Sequence, residues 1–98
     1  MVKEIATFTA QPGRADALAA GLRAAMPVIR AAEGCRSIRL ARNVEDTDSF
    51  IYEIEWETLE HHTVTFRGGP HFAEYRSHIA GLFVEPIVAR HYTQIESR

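Results

Sequence analysis

From Phe50 to Glu57 the chain reads FIYEIEWE, and the alternation has no exception: Phe50, Tyr52, Ile54 and Trp56 occupy one phase, Ile51, Glu53, Glu55 and Glu57 the other. Successive side chains of a strand point to opposite faces. The segment is therefore a strand with a large apolar and aromatic face to bury and an acidic face to leave uncovered. A chain of 98 residues has room for one core, so residues 1 to 98 are read as a single domain whose other segments must cover that face.

Those segments are legible. Residues 2 to 10, VKEIATFTA, form a first strand that stops at the turn signal Gln11-Pro12-Gly13. Residues 14 to 32 space Leu18, Leu22, Ala25, Met26 and Ile29 by three and four, the pattern of a helix with one apolar side. Pro27 removes a backbone donor inside it and should loosen it near Ala24 to Met26, with Gly34 ending it. Arg36 to Val44 is a second strand, and the polar loop NVEDTDS makes it the antiparallel partner of Phe50 to Glu57. With Arg42 opposite Phe50, Ile38 meets Ile54, Leu40 meets Tyr52 and Arg39 meets Glu53. Gly68-Gly69-Pro70 separates a short helix, about Leu59 to Phe66, from another running from Pro70 to about Phe83. VARHYTQIE, residues 88 to 96, closes the series as a strand. The order βαββαβ is that of an α+β ferredoxin-like plait, a four-stranded antiparallel sheet with helices on one face.

Composition excludes several classes of function. Net charge is −2 with only scattered arginines, which disfavours nucleic acid. No apolar run reaches the roughly 20 residues that span a bilayer. Cys35 is the only cysteine, and Lys3 and Glu4 interrupt any leader-like apolar start, so a cytoplasmic location is expected.

Four of the five histidines lie in HHTVTFRGGPHFAEYRSH, residues 61 to 78. At about 100° per residue His62 shares a stripe with Leu59 and Phe66 and turns inward, while His61 turns outward. His71 and His78 flank the apolar face formed by Phe72, Tyr75, Ile79, Leu82 and Phe83. Positions seven apart on a helix are separated by about 10.5 Å, so His71 and His78 share no metal, and only a composite set built on His62 and a distant acid stays open. No metal is expected. An inward histidine beside aromatic side chains suits proton transfer from a phenol or an acidic carbon, and equally suits packing with backbone hydrogen bonds. His61 and His91 are read as surface residues, and Cys35 as an inert thiol.

The segments AAEGC, IYEIEWETLEHHTVTF and GPHFAEYRSHIAGLF resemble the antibiotic biosynthesis monooxygenase family. In that family a strand-borne Trp followed by a short helix with an inward His is the recurrent centre, here Trp56 and His62, and the second helix commonly opens with His and an aromatic, here His71 and Phe72. The resemblance implies a homodimer whose two sheets face each other as an α+β barrel, with a pocket in each subunit. Some members oxidise phenols or quinols with O₂ and no cofactor; others degrade haem or isomerise small sugars. The chain departs from the haem-degrading pattern at Arg76, where that branch has His. It also lacks an Asn between Phe50 and Glu57, leaving Tyr52 as the nearest inward polar group. The expectation is a cofactor-free monooxygenase acting on a small electron-rich aromatic molecule. His62 would take the proton, His71 or Tyr75 would orient a second oxygen, and Trp56, Tyr52, Phe66, Phe72 and Phe83 would contact substrate. A binding module, or an isomerase using His62, is the alternative.

Overall fold

The computed structural model describes residues 1 to 98. Its elements are β1 (Val2–Ala10), α1 (Ala15–Arg30), β2 (Cys35–Arg42), β3 (Ser49–Trp56), a π-helical segment (His61–Phe66), α2 (Pro70–Ser77) and β4 (Phe83–Tyr92). The four strands form one antiparallel sheet in the order β2-β3-β1-β4, with the helices on one face. This is the ferredoxin-like βαββαβ arrangement expected. The hairpin register is also the expected one, with Ile38 opposite Ile54, Leu40 opposite Tyr52, Arg39 opposite Glu53 and Arg42 opposite Phe50.

The alternation in β3 is realised residue by residue: Phe50, Tyr52, Ile54 and Trp56 are buried and their odd-numbered neighbours are not. Across the ladder, β1 buries Glu4, Ala6, Phe8 and Ala10. Against this surface α1 packs Leu18, Leu22, Ala25 and Ile29. Gly21 lets α1 approach the end of α2, since a Cβ there would meet the His78 carbonyl oxygen at 2.3 Å. No helix is long and apolar enough to cross a membrane.

Several boundaries differ from the sequence reading, among them β2, which runs Cys35–Arg42 and not Arg36 to Val44. α1 continues through Pro27 as one element but ends at Arg30, and Gly34, at φ +82°, makes the turn into β2 instead of capping the helix. The segment after β3 is π-helical, with the Arg67 N–H donating to the His62 carbonyl five residues back, so Leu59 precedes it and is exposed. α2 stops at Ser77, where His78 and Ile79 donate to carbonyls only three residues back and Gly81 turns with φ +76°. That frees Phe83 and Val84 to pair with Ala10 and Thr9, so β4 begins at Phe83. A register shift opposite Thr7 to Thr9 accommodates Pro86, which has no N–H for the ladder. β4 ends at Tyr92 and not Glu96, because Lys3, its partner, is the last β1 residue in register.

The far sheet face carries Ile51, Glu53, Glu55 and the β4 residues Val88, Arg90 and Tyr92. Glu53 sits opposite Arg39 in the ladder, yet its ion pair is with Lys3 at 2.8 Å.

Candidate functional site

Between the helices and the sheet lies a cavity of about 270 Å³. Its walls come from every layer: Ala6 of β1, Tyr52 and Ile54 of β3, Ile29 of α1, and Ile87 and Ala89 of β4. Phe66, Phe72 and Tyr75 form an aromatic side, with ring centroids 5.6 to 6.0 Å apart. The polar groups are few: Glu4, His62, the Tyr75 hydroxyl, Arg67 and Arg76. A mostly apolar hollow with several convergent polar groups is the usual form of a small-molecule site.

One end of the cavity holds a connected set of side chains. Glu4, 4% exposed, accepts the indole N–H of Trp56 on Oε1 at 2.9 Å. The same oxygen lies 3.4 Å from Nε2 of His62, which is also 4% exposed. Nδ1 of His62 is 2.7 Å from Nε2 of His91, and one of the two nitrogens donates to the other. The His62 ring stacks on Trp56 at 5.4 Å and 20°. Its orientation is thus fixed by a stack on Trp56 and a hydrogen bond to His91, with Glu4 in contact and no backbone partner.

The ladder explains the assembly. Glu4 is the direct cross-strand partner of His91, so both face the helices from adjacent strands. The π-helical turn brings His62 down over them, and Phe66, four residues on, closes the apolar side.

Environment shifts the titrations in opposite directions. Burial raises the Glu4 carboxyl above the usual carboxylate range, against the pull of the Trp56 hydrogen bond and the Arg67 charge. Burial, then Arg67 and His91, depresses His62 to about 4, so its imidazole is neutral at pH 7. His91 is lowered too, by burial and by Arg67. The acid moves up and the imidazole down, which brings the two proton affinities together. No protein donor reaches Oε2 of Glu4, and no buried side-chain polar atom in the molecule is left without a partner, so Oε2 opens onto the cavity.

The residues expected from sequence divide accordingly. His62, Tyr75, Tyr52, Phe66 and Phe72 line the cavity. Tyr52 turns its hydroxyl away, donating it to the Leu22 carbonyl. Trp56, fully buried, stands behind the wall and holds Glu4. Phe83 lies outside the lining beneath the Arg76 guanidinium, which is 5.2 Å above its ring. His71 is also outside. His61 is not simply turned to solvent: its ring packs over Gly34 and its Nδ1 bonds Thr58 Oγ1 at 2.8 Å. Glu4 and His91 were missed. The available signal was phase, since Glu4 shares parity with Ala6, Phe8 and Ala10, and His91 with Ala89.

Fold and site together define a small α+β domain with a partly open aromatic pocket and a buried carboxylate–imidazole pair. Comparison with known proteins gives the class its name. The chain belongs to the antibiotic biosynthesis monooxygenase family, whose family model matches residues 1–77. A Bordetella bronchiseptica structure, provisionally named an antibiotic biosynthesis monooxygenase, is 33% identical, covers 97% of each chain and superposes with a TM-score of 0.91. Rv0793 of Mycobacterium tuberculosis, a protein provisionally named a monooxygenase, is 32% identical over 88 residues, 88% of this chain and 83% of its own. Its structure superposes with a TM-score of 0.78. YczJ of Bacillus subtilis is 27% identical over 95 residues, 97% of this chain and 100% of its own length.

Proposed function

We propose that the protein is a cofactor-independent monooxygenase that oxidises a small electron-rich phenol, naphthol or quinol, and that the Glu4–His62 pair removes the phenolic proton. The observation that carries this reading is the opening of Glu4 Oε2 onto an aromatic cavity while its Oε1 is backed by His62. Nδ1 of His62 is bonded to His91 and its Nε2 lies 3.4 Å from the Glu4 carboxylate, so in this reading the role expected of His62 alone is shared with Glu4.

The chemistry follows from spin. Triplet O₂ reacts slowly with closed-shell molecules, and without a cofactor the substrate must itself become a one-electron donor. Breaking the phenolic O–H bond does this: the proton passes to Glu4 and the electron pair stays on oxygen. Arg67 and Arg76 at the cavity favour that anion, and the apolar walls exclude water. The phenolate gives one electron to O₂, the phenoxyl and superoxide radicals couple at a ring carbon as a peroxide anion, and this takes up one proton to become a hydroperoxide that loses water to leave a quinone. The balance is one naphthol and one O₂ to one quinone and one H₂O. In this reading Tyr75, which lines the cavity, holds a second substrate oxygen through its hydroxyl.

The homodimer belongs to the same reading. Ile51, Val88 and Tyr92 on the uncovered sheet face form a surface that a second copy would cover, with Lys3 and Glu53 supplying polar contacts. Family membership and this face support it.

The test is oxygen uptake with a panel of dihydroxynaphthalenes and anthrols, free of flavin and with metals chelated. Native protein should consume one O₂ per quinone formed, and Glu4→Gln and His62→Ala of matched fold should lose uptake. Absence of uptake with every donor would direct the function toward proton-transfer isomerisation or ligand binding in the same cavity.

A further inference from the structure

The buried pair does not end at His62. We infer that His91 is the outlet through which the proton taken from substrate reaches solvent while substrate fills the cavity, so that Glu4, His62 and His91 form one proton path. The inference rests on the deprotonation reading above.

Three observations carry it. The groups stand in a row, with a hydrogen bond of 2.7 Å between His62 Nδ1 and His91 Nε2 and a contact of 3.4 Å between His62 Nε2 and Glu4 Oε1. The row runs from a buried position to a more open edge, because Glu4 and His62 are each 4% exposed while His91 is half-buried near the end of β4, its Nδ1 free of protein partners. Finally, the direct way out of Glu4 is the cavity itself, and a substrate seated there blocks it. Burial and, after it, the positive charge of Arg67 lower both imidazoles.

The step balances. The phenolic O–H bond breaks and the Glu4 carboxylate gains the proton. The proton arrives on Oε2; a turn of the carboxyl brings it to the side facing His62, Nε2 of His62 takes it as the Nδ1 proton of His62 moves to Nε2 of His91, and the Nδ1 proton of His91 goes to water. Glu4 returns to the carboxylate. Run backward, the chain returns one proton to the peroxide anion, giving the hydroperoxide that loses water and restoring both tautomers. His91 touches no substrate in this scheme and acts through His62, as a positioning and proton-transfer residue.

The experiment uses 4-nitrophenol, whose anion is yellow and which O₂ does not oxidise readily, mixed rapidly with the protein in weak buffer with a pH indicator. In native protein, phenolate colour and indicator acidification should rise at one rate. In His91→Gln, which keeps a bond to His62 without titrating, the colour should rise as before while acidification slows by roughly 100-fold, the low end of what a placed proton-transfer group contributes. In His91→Ala, added imidazole should restore the acidification rate, a rescue that a purely structural residue would not show. Equal acidification rates in native and His91→Gln protein overturn the outlet and leave deprotonation by Glu4 intact. Absence of phenolate colour in native protein overturns both.

Discussion

The Trp56 indole N–H and the Glu4 carboxylate are 2.9 Å apart on adjacent strands, with 0% and 4% of their surfaces exposed. A buried carboxylate is costly unless bonded, and this bond is the one direct hydrogen bond that holds Oε1 in place beside His62. Trp56 therefore acts on the cavity from behind its wall. Trp56→Phe should lower unfolding stability by about 2–4 kcal/mol, from a lost charged hydrogen bond and lost volume. A urea midpoint unchanged from the native protein would show that the bond contributes nothing.

His62 gives stability a pH dependence of definite sign. Its folded value, about 4, lies below the unfolded 6.5, so between these pH values the unfolded chain binds more protons and stability rises with pH. The contribution is about 3 kcal/mol, present above pH 6.5 and lost as pH falls to 4. Glu4 acts oppositely, since its raised value makes burial of the charge unfavourable as pH rises above 4.5. Comparing urea titrations of native protein and His62→Phe should show the native advantage growing across this window. A constant difference would mean that His62 is not held neutral.

Ala89 lines the cavity from β4 and is only partly buried. Ala89→Leu should fill the space, weaken binding of 1-naphthol by about tenfold or more, and change stability by under about 1.5 kcal/mol. Fluorescence titration beside a thermal melt separates the two effects, and unaltered affinity would place the ligand elsewhere.

Gly21 sits where α1 passes the end of α2. Gly21→Ala should destabilise by about 1–3 kcal/mol, because the methyl group would overlap the His78 carbonyl oxygen. A denaturation midpoint at or above the native one would show that the helices separate freely.

The homodimer is tested by light scattering. Native protein should have twice the chain mass, and Ile51→Lys with Val88→Glu should return it to the monomer value. A native monomer at micromolar concentration would remove the dimer from the account.

The fold was readable because β3 alternates without exception and its hairpin register satisfies both faces at once. Element ends were less readable where pairing partners decide them: β4 starts at Phe83 because Thr9 and Ala10 wait across the ladder, and nothing in VEPIV alone says so. His62 was visible as an inward residue. Its partners were not, because a charged residue in an inward phase, such as Glu4, is ordinarily a break in the pattern. Only the β1–β4 register, which sets Glu4 opposite His91, turns that break into a site.

The most direct test of the Glu4–His62 account is the ionisation of bound 1-naphthol without oxygen, followed by absorbance against pH. The account predicts that native protein binds the anion at pH values at least one unit below the free compound's own ionisation, and that Glu4→Gln binds it neutral there. The same ionisation curve for bound and free naphthol in the native protein would contradict it.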